Sequence, residues 1–156
     1  MTKLNIAILS YRSAPFGGGQ GVYIHDISKA LSIMGHKVDV ISGPPYPNLS
    51  EEVNLIELPG LDLFQTFSFK ERMKIFWKKE KKNFSDIYEF ISVLLGGFPE
   101  MRTFGYRARD YLILNNHYDI VIDNQSISYG MIDLQKIFPF IEIIHHPITK
   151  DFKYEM

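Results

Sequence analysis

The sequence predicts an α/β fold, a Rossmann-like parallel sheet of about five strands flanked by helices. Short apolar runs alternate along the chain with longer segments in which apolar residues recur at helical spacing. The runs are nearly continuous, which is typical of strands covered on both faces of a sheet. Because helices separate these strands, the strands are expected to run in the same direction and to be joined by right-handed crossovers.

Five segments are predicted to be strands. The first is the apolar run 4–9, and the second, 37–42, ends just before three prolines, which lack a backbone donor. The third, 53–58, is closed by Pro59-Gly60. The last two are 118–123 and 140–145.

Four segments are predicted to be helical. The first covers about 22–34 and ends at Gly35-His36, because a glycine commonly follows the last residue of a helix. Val22, Ile24, Ile27, Leu31 and Met34 fall at helical spacing in this segment. The second, about 68–95, is expected in more than one piece, and the others are 101–116 and 129–137.

Length and composition predict one globular domain over residues 1–156. The chain is 46% hydrophobic and has a formal charge of -1, and it contains no apolar run of the ~18 residues that a membrane span needs. Cysteine is absent, which excludes disulfides and thiolate zinc sites. The N-terminus resembles no secretion signal, so we expect a cytoplasmic protein.

Positive charge is concentrated in residues 70–82, which hold seven basic and two acidic side chains. The overall pI of about 6.5 argues against a nucleic-acid-binding protein. Apolar residues fall on one helical face here, so about 68–95 is predicted to be a basic amphipathic insertion lying on an anionic membrane surface. The expected contacts are Lys74, Trp77, Lys78 and Lys81. The alternative is a helix packed on the sheet with a solvated lysine face.

The glycine-rich stretch Gly17, Gly18, Gly19, Gln20 and Gly21 lies between the first strand and the first helix. Glycine lets the backbone approach a ligand closely, and a helix start presents unpaired amides, so this stretch is predicted to bind a phosphate or another anion. It does not match the dinucleotide fingerprint, because Val22 stands where a glycine is needed. A nucleotide-dependent oxidoreductase is further disfavoured by Ser42, where an acidic residue is expected.

Three loops that follow strands are expected to meet at one sheet edge: 17–21, 123–126 and 145–147. Ligands bind at this edge in open α/β sheets. His145 and His146 are candidates for substrate binding, and His146 and Asp123 for catalysis, although Asp123 in a cap or turn is an alternative. No metal is expected, because neighbouring strand residues point to opposite faces and no carboxylate set lies nearby.

Several of these segments together resemble a known family. The strand 6–10, the stretch Gly17 to Ile24, and Met34-Gly35-His36 followed by the strand 37–41 are similar to the N-terminal domain of family 4 glycosyltransferases with the GT-B fold. The similarity is good to about residue 43, looser in the middle, and returns over 118–147.

The resemblance implies a retaining enzyme that transfers a sugar from a nucleotide-diphosphate sugar to a glycan or lipid-linked acceptor, without a bound cofactor or an essential metal. It implies that Gly18, Gly19, Gln20 and Gly21 line the cleft and that His145 or His146 points toward the sugar. It also implies a place at the inner face of the membrane for the predicted basic helix.

The chain also departs from the family. The nucleotide-binding domain of such enzymes has no counterpart in these residues, so we expect a fragment or truncated product that pairs with a separate donor-binding domain or chain. Asp123-Asn124 stands where many members carry a histidine-rich turn. A non-catalytic α/β module that binds a phosphorylated or sugar ligand remains the alternative function.

Overall fold

The computed structural model describes residues 2–14, 19–63, 66 and 68–145. In these residues five strands form one parallel sheet in the order β3-β2-β1-β4-β5. The strands are β1 (Asn5–Ser10), β2 (Lys37–Ser42), β3 (Asn54–Glu57), β4 (Ile120–Asn124) and β5 (Phe140–Ile143). The helices are α1 (Gly19–Ile33), α2 (Phe69–Lys78), α3 (Phe84–Leu94), α4 (Glu100–Leu114) and α5 (Tyr129–Leu134). The predicted fold class is confirmed.

Side chains on alternate positions of β1 enter two separate cores, because successive strand residues point to opposite faces. Ile6 and Ile8 pack with Ile24 of α1 on one face. Ala7 and Leu9 pack on the other face with apolar residues of α4 and α5, among them Phe104, Ala108, Leu112, Met131 and Leu134. The sheet is therefore covered on both faces, as its nearly continuous apolar strands predict.

The turn after α1 shows why a glycine and a histidine stand there. Gly35 has a φ of 93°, which is favourable for glycine alone, and the amides of Gly35 and His36 bond back to Ser32 and Leu31 at 2.8 and 3.2 Å. Nδ1 of His36 then accepts a hydrogen bond from the Leu4 amide at 3.2 Å. The pair thus ends α1 and holds the turn against the start of β1.

The buried face of α1 is narrower than its apolar spacing indicates. Helix α1 begins at Gly19, so its first turn includes part of the glycine stretch. Of the apolar residues at helical spacing, Val22 and Met34 are 58% and 53% exposed. Ile24 carries the buried face instead, and Ile27 and Leu31 pack at the margin of the core. A stripe drawn from spacing alone is too wide, because the sheet covers only one side of the helix.

The basic segment forms two helices, as expected, and they are joined to α4 by a buried ionic network. Arg107 of α4 contacts Asp86 at 3.0 Å and Glu89 at 2.6 Å, both on α3. Lys79 also reaches Asp86, at 2.6 Å, and Glu89 accepts a hydrogen bond from the amide of Leu61. Asp86 is fully buried, so these bonds replace its lost hydration.

The order of the strands reverses between β1 and β4. β2 lies beside β1 on one side, and β4 lies beside it on the other. The crossovers therefore leave the sheet in opposite directions from this point, which opens a crevice beyond the carboxyl ends of these two strands. The candidate site lies at this crevice.

Candidate functional site

The glycine stretch supplies the start of α1. Gly19, Gln20 and Gly21 lie in the first turn of the helix, and the predicted Gly17 and Gly18 lie outside the described residues. The first four amides of an α-helix have no partner inside it, and the helix dipole adds positive charge there. This end of α1 is suited to an anion or to sugar hydroxyl oxygens.

Gly19 and Gly21 have different surroundings. A Cβ atom at Gly21 would clash with the backbone oxygen of Ala14, so this glycine lets the helix pack against the loop after β1. At Gly19 a Cβ atom would meet no atom of the described residues within 4 Å. Gly21 therefore has a steric role in the fold, whereas the described residues do not crowd Gly19.

Asp123 shapes the turn after β4. Its Oδ2 accepts hydrogen bonds from the amides of Ser126 at 2.7 Å and Ile127 at 3.4 Å. Two residues of this turn, Gln125 and Ile127, have positive φ values of 58° and 35°, which cost energy in residues other than glycine. Asp123 is fully buried, so it positions the turn, and the geometry does not support direct action on a substrate as a base.

Glu142 of β5 lies beside Asp123 and is hydrogen bonded to it. Burial, followed by the charge of Asp123, raises the pKa of Glu142 to about 8. Burial also raises the pKa of Asp123, and this effect exceeds that of the hydrogen bonds that it accepts, which lower the pKa. One buried oxygen of each carboxyl group receives no donor from the other described residues. A proton held between the two groups satisfies both and removes the repulsion of two charges.

His145 connects three parts of the edge. Its amide donates to Oε1 of Gln125 at 3.0 Å, and its Nε2 lies 2.6 Å from Oδ1 of Asn124. Its ring packs edge-on against Tyr23 of α1, with 4.8 Å between the centroids. Because the Asn124 oxygen accepts, Nε2 is the donor in this contact, and Nδ1 is the ring nitrogen that remains for a hydroxyl group.

The predicted meeting of the three loops is thus present for the described residues. The α1 start, the β4 turn and His145 adjoin one another, whereas His146 lies outside the described residues. Nδ2 of Asn124 and Oγ of Ser126 are buried and have no hydrogen-bond partner among those residues. The edge therefore offers backbone amides, an imidazole and side-chain donors, which suit a polyhydroxylated or anionic ligand.

Three residues of this edge were not named as site residues from the sequence: Tyr23, Asn124 and Glu142, which contact His145 or Asp123. Asn124 lies in the predicted edge loop 123–126 and Tyr23 in the stretch Gly17 to Ile24, but the sequence assigned neither of them a contact. Glu142 had one signal, because a charged residue inside the apolar run 140–144 has to find a partner if it is buried. In the part of the chain that the structure describes, no group of three or more candidate ligands is placed to hold a metal ion.

The predicted membrane-contact residues Lys74, Trp77, Lys78 and Lys81 are all exposed. Phe76, which belongs to the same apolar stripe, instead stacks on Phe90 of α3 with 4.4 Å between the centroids. A second apolar stripe is exposed on α3 and just after it, formed by Phe84, Ile87, Ile91, Leu94 and Leu95. None of the helices in the described ranges is long and apolar enough to cross a bilayer.

Comparison with known proteins supports the resemblance noted in the sequence. The chain is 39% identical, over 98% of its length, to an MMP alpha-(1->4)-mannosyltransferase of Mycolicibacterium hassiacum, and it spans 37% of that protein. The fold is similar to the crystal structure of CalG4, the calicheamicin glycosyltransferase, with a TM-score of 0.55 and 13% identity over 99% of this chain and 37% of that one. No family model matches the chain. The predicted resemblance to a Rossmann-like domain of GT-B glycosyltransferases is confirmed.

Proposed function

We propose that this chain is the acceptor-side domain of a retaining family 4 glycosyltransferase, in which the edge formed by α1, the β4 turn and His145 holds the sugar that receives the new residue. The carrying observation is the contact of His145 with both Asn124 and Tyr23. These contacts bring a hydroxyl acceptor, Nδ1 of His145, to the crevice where the strand order reverses. The sequence similarity to a mannosyltransferase supports mannose as the sugar.

In the proposed reaction this chain binds and orients the acceptor. The imidazole accepts a hydrogen bond from an acceptor hydroxyl, and the amides at the start of α1 face the diphosphate of the donor, a nucleotide-diphosphate sugar. The nucleotide itself is held by a donor-binding domain or by a separate chain. The alternative from the sequence, a non-catalytic sugar-binding module, uses the same edge and predicts acceptor binding without transfer.

Calorimetry on this chain tests the assignment of the two substrates. An α-(1→4)-linked mannotetraose should bind this chain. His145→Ala should weaken that binding about tenfold, because the hydrogen bond between the imidazole and a sugar hydroxyl is lost. His117→Ala is the matched control, since His117 is exposed and precedes β4, at the opposite edge of the sheet. GDP-mannose should bind far more weakly than it does to an intact transferase. Tight binding of GDP-mannose, or no effect of His145→Ala, would contradict the proposal.

We also propose that α2 and α3 contact an anionic membrane surface, where a lipid-linked acceptor would be found. Exposed lysines of α2 lie next to the exposed apolar stripe of α3, and the stacking of Phe76 on Phe90 holds the two helices together. Each lysine near such a surface contributes about 1 kcal/mol at physiological salt, so several together give measurable binding.

Sedimentation with phosphatidylglycerol vesicles tests this contact. The chain should sediment at low salt and be released at high salt, because the attraction is screened. The triple variant Lys74→Gln, Lys78→Gln and Lys81→Gln should stay in solution, whereas a matched set of exposed lysines elsewhere should bind normally when changed to glutamine: Lys3, Lys29 and Lys37. Equal binding of the two triple variants would refute a role for α2.

A further inference from the structure

A groove beside the candidate site combines an arginine with exposed apolar side chains. We call it the Arg102 groove and define it by Phe98, Arg102, Tyr129, Ile132 and Ile144, which line a cavity of about 560 Å³. Glu142 also lines this cavity, and its carboxyl group is hydrogen bonded to Asp123. Arg102 lies in the first turns of α4, Tyr129 begins α5, and Ile144 directly follows β5. All three therefore lie at the carboxyl edge of the sheet, and the groove adjoins the candidate site through Ile144 and its neighbour His145.

Arg102 is held by aromatic groups. Its Nη1 donates to the hydroxyl of Tyr88 at 2.8 Å, and its guanidinium lies 6.0 and 5.8 Å from the ring centroids of Tyr88 and Tyr129. In the described residues it has no carboxylate within 4 Å, whereas the guanidinium groups of Arg107 and Arg109 each contact carboxylates. A guanidinium has five N–H donors, so Arg102 keeps donors for an external group.

The chemistry of these donors selects an anion. A guanidinium binds a carboxylate or a phosphate through two parallel hydrogen bonds, and these are about twice as strong as bonds between neutral groups. The two tyrosine rings fix the orientation of the guanidinium before a ligand arrives, which lowers the entropy lost on binding.

The walls of the groove select a ligand with an apolar surface. Phe98, Tyr129 and Ile144 are 65%, 64% and 62% exposed in this chain, and a cluster of exposed apolar side chains is typical of a binding surface. An aromatic ring with one wet edge suits the face of a sugar ring, which presents C–H groups and keeps its hydroxyls at the rim. A second cavity, of about 330 Å³, continues past Arg102 along Tyr88 and Tyr106. The surface is long enough for more than one sugar unit.

We propose that the Arg102 groove is an acceptor subsite for a sugar that carries a carboxylate or a phosphate group, an inference that rests on the proposed function. The sugar packs on Tyr129 and Phe98, and Arg102 binds the anion. The charged unit then lies next to the unit that receives the new sugar at His145. An acceptor with an anionic unit at this position should therefore bind more tightly than a neutral one such as mannotetraose, which lacks a partner for Arg102.

NMR titration of the whole chain with three probes tests this subsite: phenyl β-D-glucuronide, phenyl β-D-glucoside 6-phosphate and neutral phenyl β-D-glucoside. The two charged probes should bind at least about tenfold more tightly than the neutral one, with shifts at Tyr88, Arg102 and Tyr129. The stronger of the two identifies carboxylate or phosphate as the preferred anion. Equal affinity for all three probes would overturn the proposal.

Variants locate the effect. Arg102→Gln should reduce the affinity for the charged probes to that for the neutral one, while Tyr129→Ala should weaken all three. Arg109→Gln is the matched control, because Arg109 lies on the same helix but is bonded to Asp110 and Asp133. Unchanged binding by Arg102→Gln, with an unchanged melting temperature, would also overturn the proposal. NMR shift changes confined to His145 and Tyr23 would refute binding in the Arg102 groove and leave the proposed function standing. The absence of any sugar binding would count against both proposals.

Discussion

At the scale of single residues, two neighbouring glycines of α1 show how a ligand role and a packing role differ. A side chain at Gly21 would clash with the backbone oxygen of Ala14, while a Cβ atom at Gly19 would meet no described residue within 4 Å. Both belong to the stretch that the sequence marks as a binding loop. The coordinates assign the packing role to Gly21, and the ligand role of Gly19 stays a prediction.

Replacing each glycine with alanine separates these roles. Gly21→Ala should lower the free energy of unfolding by about 1–3 kcal/mol, since the added methyl group forces the helix away from the loop. Gly19→Ala should leave stability nearly unchanged and should weaken mannotetraose binding, because the methyl group occupies the space open to the ligand. Urea unfolding and calorimetry measure the two effects. A Gly21→Ala protein as stable as the wild type would show that the loop after β1 yields easily.

At the scale of elements, ion pairs between side chains hold α3 against α4. Arg107 holds Asp86 and Glu89 with its side chain only 12% exposed. Helical periodicity predicted α3 but gave no sign that two of its acidic residues are buried. The partner that makes their burial possible is about twenty positions further along the chain, so only the tertiary structure identifies it.

Arg107→Met tests this network. Removing the guanidinium leaves two buried carboxylates without their main partner, so the free energy of unfolding should fall by about 3–5 kcal/mol. Arg109→Gln, two residues further along α4 with a more exposed pair, should cost less than about 1 kcal/mol. Chemical denaturation of both variants gives the comparison. Similar losses in the two variants would mean that the network does not hold α3 on α4.

At the scale of the whole molecule, the sequence was sufficient for the sheet and insufficient for the site. Apolar runs such as 37–42 predicted the strands, because a strand that is buried on both faces consists mostly of apolar residues. The contacts of His145 with Asn124 and Tyr23 could not be predicted, because these residues meet only after folding. Asp123 was a candidate for a base or for a turn residue, and its burial and its hydrogen bonds to the turn amides favour the second.

The stability of the whole chain should depend on pH through two carboxyl groups. Burial raises the pKa of Glu100 to about 7, and burial with the charge of Asp123 raises that of Glu142 to about 8, from 4.5 in each case. Between about pH 4.5 and about pH 8 the folded state therefore binds more protons than the unfolded state. Stability should fall as the pH rises from about 4.5 to about 8.

Thermal unfolding across this pH range measures the effect. Glu142→Gln should flatten the upper part of the profile, because a neutral amide replaces the protonated carboxyl group and can donate to Asp123. Glu52→Gln serves as a control, since Glu52 is exposed. A stability that rises with pH from 5 to 8 would mean that the carboxyl pair is ionised in the folded protein.

The most direct test of the central claim locates a bound acceptor on the carboxyl edge of the sheet. Intermolecular NOEs should be recorded between α-(1→4)-linked mannotetraose and the isotopically labelled chain. Contacts are expected from the sugar to the ring of His145, to the ring of Tyr23 that packs against it, and to the amide of Gly19 at the start of α1. Contacts confined to the opposite edge of the sheet, or to β3, would contradict it.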